Sequence, residues 1–584
     1  MRLQHRLRNS QPALIILCGL LGAMVGLMTV GMHELVSLLH LLGFALPHGG
    51  KLSSGIGVPP GRILVVPVVG GLALGLFRLS LNRRWRGEIV DPIEANAIHG
   101  GRMSVWTSLR LTVSTVISNA AGGSIGMEAA YSQLGAGVLS LFGQTLRLRR
   151  NDLRVFVGAG AAAAISAAFN APLAGAFYGF ELVMGGYNAA TLVQIAVASA
   201  AGDLVVRGLV RVNPLFHIHT AQVIGDWEYL AFAVLGMAAA PLAIATMRMV
   251  GVCEAAFRRL PVPYWLRPVA GAVPLTAIAL TFPEVLGSGY GGIQAQFDTP
   301  WALVPVAGLL LAKVMASSLS IGAGFRGGLF SSSLFMGCLF GDLAARVLAL
   351  AMPVAAAQQV NFMLVGMGAV GAGIVGAPVT MVLLALEITG NFPVALAVLV
   401  GVVFSTAIVR YSFGFSFSTW RFHLRGLPID GADDVGWVRD LTVARLMGPL
   451  PVCVPHSMPL GELRGRVPFG INGPVFVVDG EGRYRGRIDA ALIHGRDLDD
   501  AAGALVAADL AVGLGQVLLP EQTVPEALAC FAAWMAEDLP VVESGANLRP
   551  VGMLKEAAAL RRYSRELGSH LGGAIGRPLF PPVV

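Results

Sequence analysis

Long apolar segments with very few charged residues limit the fold of this chain more than any other feature of its sequence. They lie at roughly 12–46, 62–82, 104–146, 155–201, 228–250, 268–282, 302–350 and 361–409. Several are longer than the ~20 residues that span a bilayer, so we expect broken or paired helices. Non-helical backbone is tolerated inside a membrane only where it is buried in protein or lines a water-filled path. The pattern predicts an all-α polytopic membrane protein.

Composition divides the chain into a membrane part and a soluble part. Of the 584 residues, 55% are hydrophobic and the mean hydropathy is +0.70, which is too apolar for a soluble enzyme. Residues 1–420 carry 25 Lys and Arg against 15 Asp and Glu, a net charge of +10, whereas residues 421–584 carry 16 against 19, a net charge of −3. We therefore expect a membrane body followed by a mildly acidic soluble domain, and no enzymatic activity.

The basic residues flank apolar segments instead of lining one face, which argues against a nucleic-acid partner. Arg clusters at 2–8, 83–86 and 147–150 are typical of anchors on the cytoplasmic side of a membrane. Together with the soluble tail they predict cytoplasmic termini, in a bacterial inner membrane surrounded by lipid. The five Cys residues show no paired spacing, so neither a disulfide framework nor a metal site is indicated.

One carboxylate stands alone in a long apolar stretch. Between Arg110 and Arg147 the only charged residue is Glu128, within Gly122-Gly-Ser-Ile-Gly-Met-Glu-Ala-Ala130. An ionised carboxylate in hydrocarbon costs several kcal/mol unless it faces a cavity, a partner or a proton path. Glu128 is therefore a candidate functional residue; the alternative is a structural Glu bonded to backbone amides.

The membrane part contains an internal duplication. Segments 170–181 and 376–387 share Ala-Pro, at Pro172 and Pro378, and a Glu nine residues later, at Glu181 and Glu387. The offset of about 206 residues predicts an inverted repeat with halves at about 60–210 and 228–425, typical of transporters with a midplane substrate site. The repeated Glu residues favour a structural role, such as capping amides of a neighbouring broken helix.

Both halves contain a glycine-rich helix start at corresponding places. Adding the repeat offset to Glu128 leads to about Leu334, within the segment Arg326-Gly-Gly-Leu-Phe-Ser-Ser-Ser-Leu334. Two helix N-termini that face one midplane point would present N–H groups and positive dipole ends to an anion. The sequence therefore predicts a weak anion site of the kind that conduction requires.

The tail has a different pattern, which predicts two α/β modules within 430–570. Residues 474–488 and 539–554 each indicate a hairpin with a Gly-containing turn. Helical stretches, for example at 502–512 and 523–537, surround them.

With these features in place, the chain resembles the CLC family of chloride channels and chloride/proton antiporters, followed by a pair of CBS modules. The resemblance covers essentially the whole chain, with a membrane domain at 1–425. It is strongest at 154–182, 310–337 and 361–392. The resemblance implies the CLC-type fold, a homodimer and an inorganic anion, chloride, as the transported ligand.

Two family motifs assign residues to the anion site. The family's Gly-Arg-Glu-Gly-Pro motif matches residues 126–130, so Gly126 and Met127 correspond to its anion-binding backbone and Glu128 to its gating glutamate. The Gly-x-Phe-x-Pro motif matches residues 328–332, where Leu329 and Phe330 keep the backbone donors and the Pro is lost.

Other family positions are altered. Glu88 falls on the serine that contacts the central anion, and Ser418 falls on the pore tyrosine, keeping a hydroxyl donor. The internal proton-accepting glutamate falls on Leu182, which cannot carry a proton; an apolar residue there resembles channels more than antiporters. Arg326 could raise the local anion concentration, or bond nearby carbonyls at a membrane edge.

These matches imply a passive chloride channel gated by Glu128. A chloride/proton antiporter and a fluoride exporter are the alternatives, and a non-transporting membrane sensor is a further one from another class. The segments 486–492 and 552–558 lack the Thr/Ser and Asp with which CBS pairs bind adenine nucleotides, so we expect dimer support and no cofactor.

Overall fold

The computed structural model describes residues 10–47, 50–82, 89–187, 189–209, 216, 218, 224–299, 301–352, 357–425, 441–468, 473–495 and 504–562. The chain forms two units, Met1–Asp434 and Val435–Val584. The first is called the membrane unit and the second the C-terminal unit.

All the regular secondary structure that is described in the membrane unit is helical. Its first helices are α1 (Gln11–Phe44), α2 (Pro60–Asn82), α3 (Pro92–Ala97), α4 (Val105–Ala120), α5 (Glu128–Thr145), α6 (Arg150–Phe169), α7 (Pro172–Tyr178) and α8 (Ala189–Leu209). There follow α9 (Asp226–Arg259), α10 (Arg267–Thr281), α11 (Tyr290–Asp298), α12 (Leu303–Ala323), α13 (Phe330–Ala349), α14 (Gln359–Val375), α15 (Pro378–Thr389), α16 (Phe392–Ser412) and α17 (Phe417–Leu424). Short 3-10 turns occur at Leu52–Ser54 and Pro283–Val285, and a π-helix at Gly179–Met184 continues α7.

Within the described ranges, eight helices are long and apolar enough to cross a membrane. Shorter apolar helices, among them Gln359–Val375 and Pro378–Thr389, lie between them. The prediction of a mostly helical membrane body with broken helices is confirmed. The apolar segment predicted at 155–201 is split into α6, α7 with its π-helical extension, and α8.

The two Ala-Pro segments form equivalent helix breaks. In the first repeat α6 ends at Asn170, which has a left-handed φ of 55°, and Pro172 opens α7. In the second, α14 ends at Gly376, with φ 82°, and Pro378 opens α15. Proline suits the first position of a helix because its missing N–H would have no helical partner there. The break and restart are thus encoded locally.

Glu181 of the first repeat caps a helix of the second repeat, and Glu387 of the second repeat caps a helix of the first. Glu181 accepts hydrogen bonds from the backbone N–H groups of Val379 and Thr380, both at 2.8 Å, at the start of α15. Glu387 accepts from the N–H groups of Leu173 and Ala174, both at 2.8 Å, at the start of α7. Each carboxylate therefore satisfies two amides that helix geometry leaves without a partner, next to a positive dipole end.

Glycine contacts join equivalent helix pairs in the two repeats. Gly135 of α5 lies against the carbonyl of Gly160 of α6, and Gly337 of α13 lies against that of Gly366 of α14. A Cβ atom at any of the four positions would overlap the opposite backbone. Close backbone approach of this kind is how membrane helices associate when lipid removes the hydrophobic driving force.

The C-terminal unit contains two small sheets. Strands β1 (Cys453–Pro455), β2 (Pro474–Val478) and β3 (Tyr484–Asp489) form one sheet, in which β1–β2 is parallel and β2–β3 antiparallel. Strands β4 (Asp538–Val542) and β5 (Pro550–Lys555) form the other, antiparallel sheet. Its helices are α18 (Val443–Leu446), α19 (Leu460–Arg466), α20 (Ala490–Ile493), α21 (Ala507–Leu510) and α22 (Val524–Trp534).

Both predicted hairpins are present, as β2–β3 and β4–β5. The helix predicted at 523–537 corresponds to α22, which ends where Met535 adopts a left-handed φ of 48°. The helix predicted at 502–512 is reduced, within the described part, to the single turn α21, since Val512 pairs with Arg487 as an isolated bridge. Identity of these modules as a CBS pair stays a prediction.

Replacing Gly366 by Ala should destabilise the membrane unit by about 1–3 kcal/mol, because the added methyl group overlaps backbone that cannot move aside. Thermal unfolding in detergent, followed by loss of monodisperse elution, measures this. Gly31→Ala in α1 is the matched control, since a Cβ there meets nothing within 4 Å. Equal midpoints for the two variants would contradict the packing role of Gly366.

Replacing Glu387 by Gln should lower the stability by about 1.5–3 kcal/mol, since one of its two charge-assisted acceptors becomes an amide donor. The same unfolding assay measures it. Glu254→Gln, which removes a partly exposed partner of Arg258, is the control and should cost about 0.5 kcal/mol or less. A Glu387→Gln variant as stable as this control would show that the cap contributes nothing.

Candidate anion site

Two glycine-rich loops from the two repeats are joined directly by their backbones. The N–H of Gly126 donates to the carbonyl of Gly328 at 2.9 Å, and the N–H of Gly328 donates to that of Gly126 at 3.2 Å. The pairing is antiparallel. Helix α5 begins two residues after Gly126, and α13 begins two residues after Gly328. The predicted meeting of two helix starts is therefore present, with Phe330, four residues before Leu334, at the second start.

The residues at these helix starts are buried. Met127 occupies the cap position of α5 and Leu329 that of α13, with 5% and 2% of their surfaces exposed. Phe330, the first residue of α13, is 5% exposed. Each N-terminus carries a partial positive charge from its aligned peptide dipoles, and the shielding from water strengthens its attraction for an anion.

Glu128 lies at the first of these helix starts and is 2% exposed. Its Oε1 accepts a hydrogen bond of 2.5 Å from the hydroxyl of Tyr290. Its Oε2 meets no donor within strict hydrogen-bond geometry among the described residues, although the hydroxyl and backbone N–H of Ser331, the second residue of α13, also interact with the carboxylate. Any Cβ on Gly126 would overlap that Oε2 atom, so only glycine at position 126 permits this orientation of the carboxylate.

Several of the sequence-predicted residues line one cavity of about 180 Å³, called the smaller cavity. These are Glu128, Leu182, Arg326, Leu329, Phe330 and Ser418. Leu182 reaches it from the π-helical segment, beside Glu181, and Ser418 from the first turn of α17. Gly126 and Met127, which precede α5 and were also predicted to bind the anion, are not among its lining residues.

A second cavity of about 530 Å³, called the larger cavity, is lined by Tyr290 and not by Glu128. Met127, Tyr131 and Tyr290 line it, together with polar side chains such as His40 of α1. Glu128 lines the smaller cavity and its bonding partner Tyr290 lines the larger one. The hydrogen bond between them thus forms part of the partition between the two cavities.

Three arginines and two carboxylates line the smaller cavity. Arg326, Arg421 and Arg425 line it, against the carboxylates of Asp91 and Glu128. Arg425 also pairs with Glu94 at 3.1 Å. The backbone N–H of Arg326 donates to the Ser118 hydroxyl at 3.0 Å, which fixes the start of the second glycine-rich loop.

Sequence reasoning missed two residues of this site, Asp91 and Tyr290. Asp91 caps α3 by accepting the N–H of Ile93 at 2.9 Å, so a third helix start at the smaller cavity is occupied by its own carboxylate. The Asp-Pro-Ile-Glu sequence, with Pro at the first helical position, is a capping signal that could have located it. No signal in the sequence marks Tyr290. Glu88, predicted at the family's serine position, lies outside the described residues.

The family model described as voltage gated chloride channel matches residues 70–410. A putative chloride channel protein, ClcB-like, of Ralstonia nicotianae is 32% identical over 396 residues, covering 67% of this chain and 92% of that protein. The voltage-gated ClC-type chloride channel ClcB of Escherichia coli is 26% identical over 401 residues, covering 68% of this chain and 95% of that protein.

Solved structures share the fold. A slow cyanobacterial chloride/proton antiporter superposes with a TM-score of 0.63 at 20% identity, covering 72% of this chain and 99% of the other. A eukaryotic CLC transporter superposes with a TM-score of 0.60 at 18% identity, covering 95% and 98%. A CLC-type fluoride/proton antiporter gives 0.57 at 19%, covering 68% and 96%. These structures show that the fold is of the CLC type. By the family match and by the Ralstonia relative, the chain belongs to the CLC family.

Proposed function

We propose that this protein is a passive chloride channel in which Glu128 is the gate. Anion transport is the activity of the family to which the chain belongs. The observation that carries the finer proposal is the position of Glu128: a buried carboxylate at a helix N-terminus, which lines one cavity and bonds to a residue that lines the other.

The anion path follows the two cavities. Chloride enters the larger cavity, passes the helix starts at Gly126–Glu128 and Leu329–Phe330, and leaves through the smaller cavity past Ser418. Backbone N–H groups and helix dipoles attract the anion without a full counter-charge, so that binding stays weak enough for release. Arg326 raises the anion concentration on the side of Ser418.

Glu128 gates this path by competing with chloride. Its ionised carboxylate occupies the positive helix start where the anion would pass. A protonated carboxylic acid has lost that attraction and leaves the position, so the path opens. Opening therefore increases as the external pH falls and as the external chloride concentration rises.

The absence of a proton acceptor at Leu182 supports a channel over an antiporter. Leu182 lines the smaller cavity with an apolar side chain, where a titratable group would be needed to relay protons from Glu128. The carboxylate of Asp91 in the same cavity favours the second candidate, a chloride/proton antiporter, because it offers a different acceptor. Its helix-capping hydrogen bond gives Asp91 a structural role in the channel proposal.

The remaining predictions concern the setting of the channel. We propose a homodimer in a bacterial inner membrane, with one path in each subunit and both termini in the cytoplasm. The C-terminal unit supports the dimer as a CBS-like pair, without a nucleotide cofactor. A non-transporting sensor is less favoured than chloride conduction, since Glu128 and both glycine-rich helix starts are retained. Fluoride export stays an alternative, because the family's central Ser and pore Tyr are replaced at Glu88 and Ser418.

Replacing Glu128 by Gln should leave chloride flux high and independent of external pH, because the neutral amide resembles the protonated gate. Chloride efflux from proteoliposomes between about pH 4.5 and 7.5 measures this. Glu34→Gln, which removes an exposed carboxylate from the larger cavity, is the control and should keep pH-dependent flux. Steep pH gating that persists in the Glu128→Gln variant would refute the gating role.

Channel and antiporter activity can be separated by recording chloride and protons together. Under a chloride gradient, a passive channel should drive no uphill proton movement, and its reversal potential should follow the chloride gradient alone. Proton uptake that is coupled to chloride efflux, and lost on Asp91→Asn, would favour the antiporter. Fluoride efflux measured in the same vesicles tests the remaining alternative; faster fluoride than chloride flux would contradict the chloride proposal.

A further inference from the structure

We propose that Tyr290 is the positioning residue that holds the ionised Glu128 carboxylate across the anion path. This inference rests on the gating role proposed for Glu128. It concerns a single bond, between the Tyr290 hydroxyl and Glu128 Oε1, which are 2.5 Å apart. The two residues are 162 positions apart in the chain and come from different repeat halves.

The bond joins a residue of one cavity to a residue of the other. Tyr290 lines the larger cavity, whereas Glu128 lines the smaller one. Breaking the bond frees Oε1, and Oε2 already meets no donor within strict hydrogen-bond geometry among the described residues. The Glu128 backbone N–H and the hydroxyl and backbone N–H of Ser331, the second residue of α13, also interact with the carboxylate, but the Tyr290 hydroxyl contributes the most of these groups.

The ring of Tyr290 is fixed by aromatic contacts. It meets Phe169 edge to face at 5.9 Å between ring centroids, and Phe216 at 6.2 Å. Phe169 in turn lies 4.9 Å from Phe330, the first residue of α13. The phenol is therefore packed against the second helix start while its hydroxyl bonds to the residue at the first.

The backbone that carries Tyr290 is also fixed. The N–H of Gly291 donates to the Ser53 hydroxyl at 2.9 Å, and Gln296 at the other end of α11 donates to Asp342 at 2.8 Å. The ammonium group of Lys313, which is completely buried, donates to the carbonyls of Val285 and Gly287 at 3.0 Å each. Because the donor is held in place, forming the bond to Glu128 costs little conformational entropy.

The bond is stronger when Glu128 is ionised, which is the closed state of the proposed gate. A phenol that donates to a carboxylate forms a charge-assisted hydrogen bond, roughly twice as strong as a bond between neutral groups. Protonation of Glu128 removes the charge, weakens the bond and releases the side chain. Tyr290 thus links the proton that neutralises Glu128 to the movement that opens the path.

Other titratable and charged groups face the gate from both cavities, and they remain unchanged when only the Tyr290 hydroxyl is removed. On the larger cavity these are His33, Glu34, His40, Lys51 and Tyr131. On the smaller cavity they are Asp91, Tyr178, Arg326, Arg421 and Arg425.

Tyr290→Phe should move the external pH of half-maximal chloride flux upward by about 1–2 units. The sign follows because losing a donor to the ionised form makes protonation of Glu128 easier, and the size is that of one hydrogen bond to a charged group. Tyr131→Phe is the matched control, since Tyr131 lines the same cavity and lies one turn along α5 from Glu128. It should leave the midpoint within about 0.3 unit, since a residue that makes no bond to the gate has only a small effect on it.

A second variant tests the donor without altering the packing. Site-specific 3-fluorotyrosine at position 290 keeps the ring but has a more acidic hydroxyl, which is a stronger donor. It should move the midpoint to lower pH, opposite to Tyr290→Phe. Shifts in the same direction for both variants, or no shift for either, would overturn the proposal.

A double variant separates positioning from a general structural effect. In a Glu128→Ala background, Tyr290→Phe should leave flux unchanged within about 1.5-fold, because there is no carboxylate to hold. An equal change in both backgrounds would show that Tyr290 only supports the fold. If flux through the Glu128→Gln variant still depends on pH, the gating role of Glu128 is refuted. If Glu128→Gln abolishes the pH dependence but Tyr290→Phe does not shift the midpoint, the gating role of Glu128 holds and the positioning role of Tyr290 is refuted.

Discussion

The two hydrogen bonds between Gly126 and Gly328 are the contact on which the rest of the site depends. They join one loop from each repeat, so that α5 and α13 begin side by side and their positive ends share one small space. A side chain at position 126 would overlap the Glu128 carboxylate and the Ser331 hydroxyl, whereas a Cβ at position 328 would meet only ordinary van der Waals neighbours. The reciprocal caps by Glu181 and Glu387 repeat the same principle elsewhere, since each repeat satisfies backbone amides of the other.

Much of this arrangement could be predicted from the sequence because the signals are local. A lone carboxylate at Glu128 and two Ala-Pro-Glu segments are recognisable without knowledge of the fold. The duplication then implied that both helix starts meet. The 206-residue offset led to Leu334, whereas the backbone pairs residues 202 apart, because the stretch from the start of α13 to the start of α15 is longer than the stretch from the start of α5 to the start of α7. A single offset cannot describe both pairs.

The parts that could not be predicted depend on distant contacts. Tyr290 reaches Glu128 from a helix that follows a run of turns, and no periodicity or spacing connects the two. Asp91 carried a recognisable capping pattern, but the family alignment drew attention to Glu88 instead. In the C-terminal unit, the stretch at 502–512 has helical composition, yet residue 512 pairs with Arg487, so tertiary pairing overrides local propensity.

The glycine contacts between α5 and α6 and between α13 and α14 limit how this protein can move. Where backbone touches backbone, no side-chain rotamers lie between the helices to exchange, so the contact resists small adjustments. The two helix pairs that carry the site therefore behave as a rigid frame in each repeat. In the proposed channel the moving part is one side chain, and motion on that scale is faster than the rocking of a domain. A narrow, fixed aperture with a small moving part is suited to rapid ion flow.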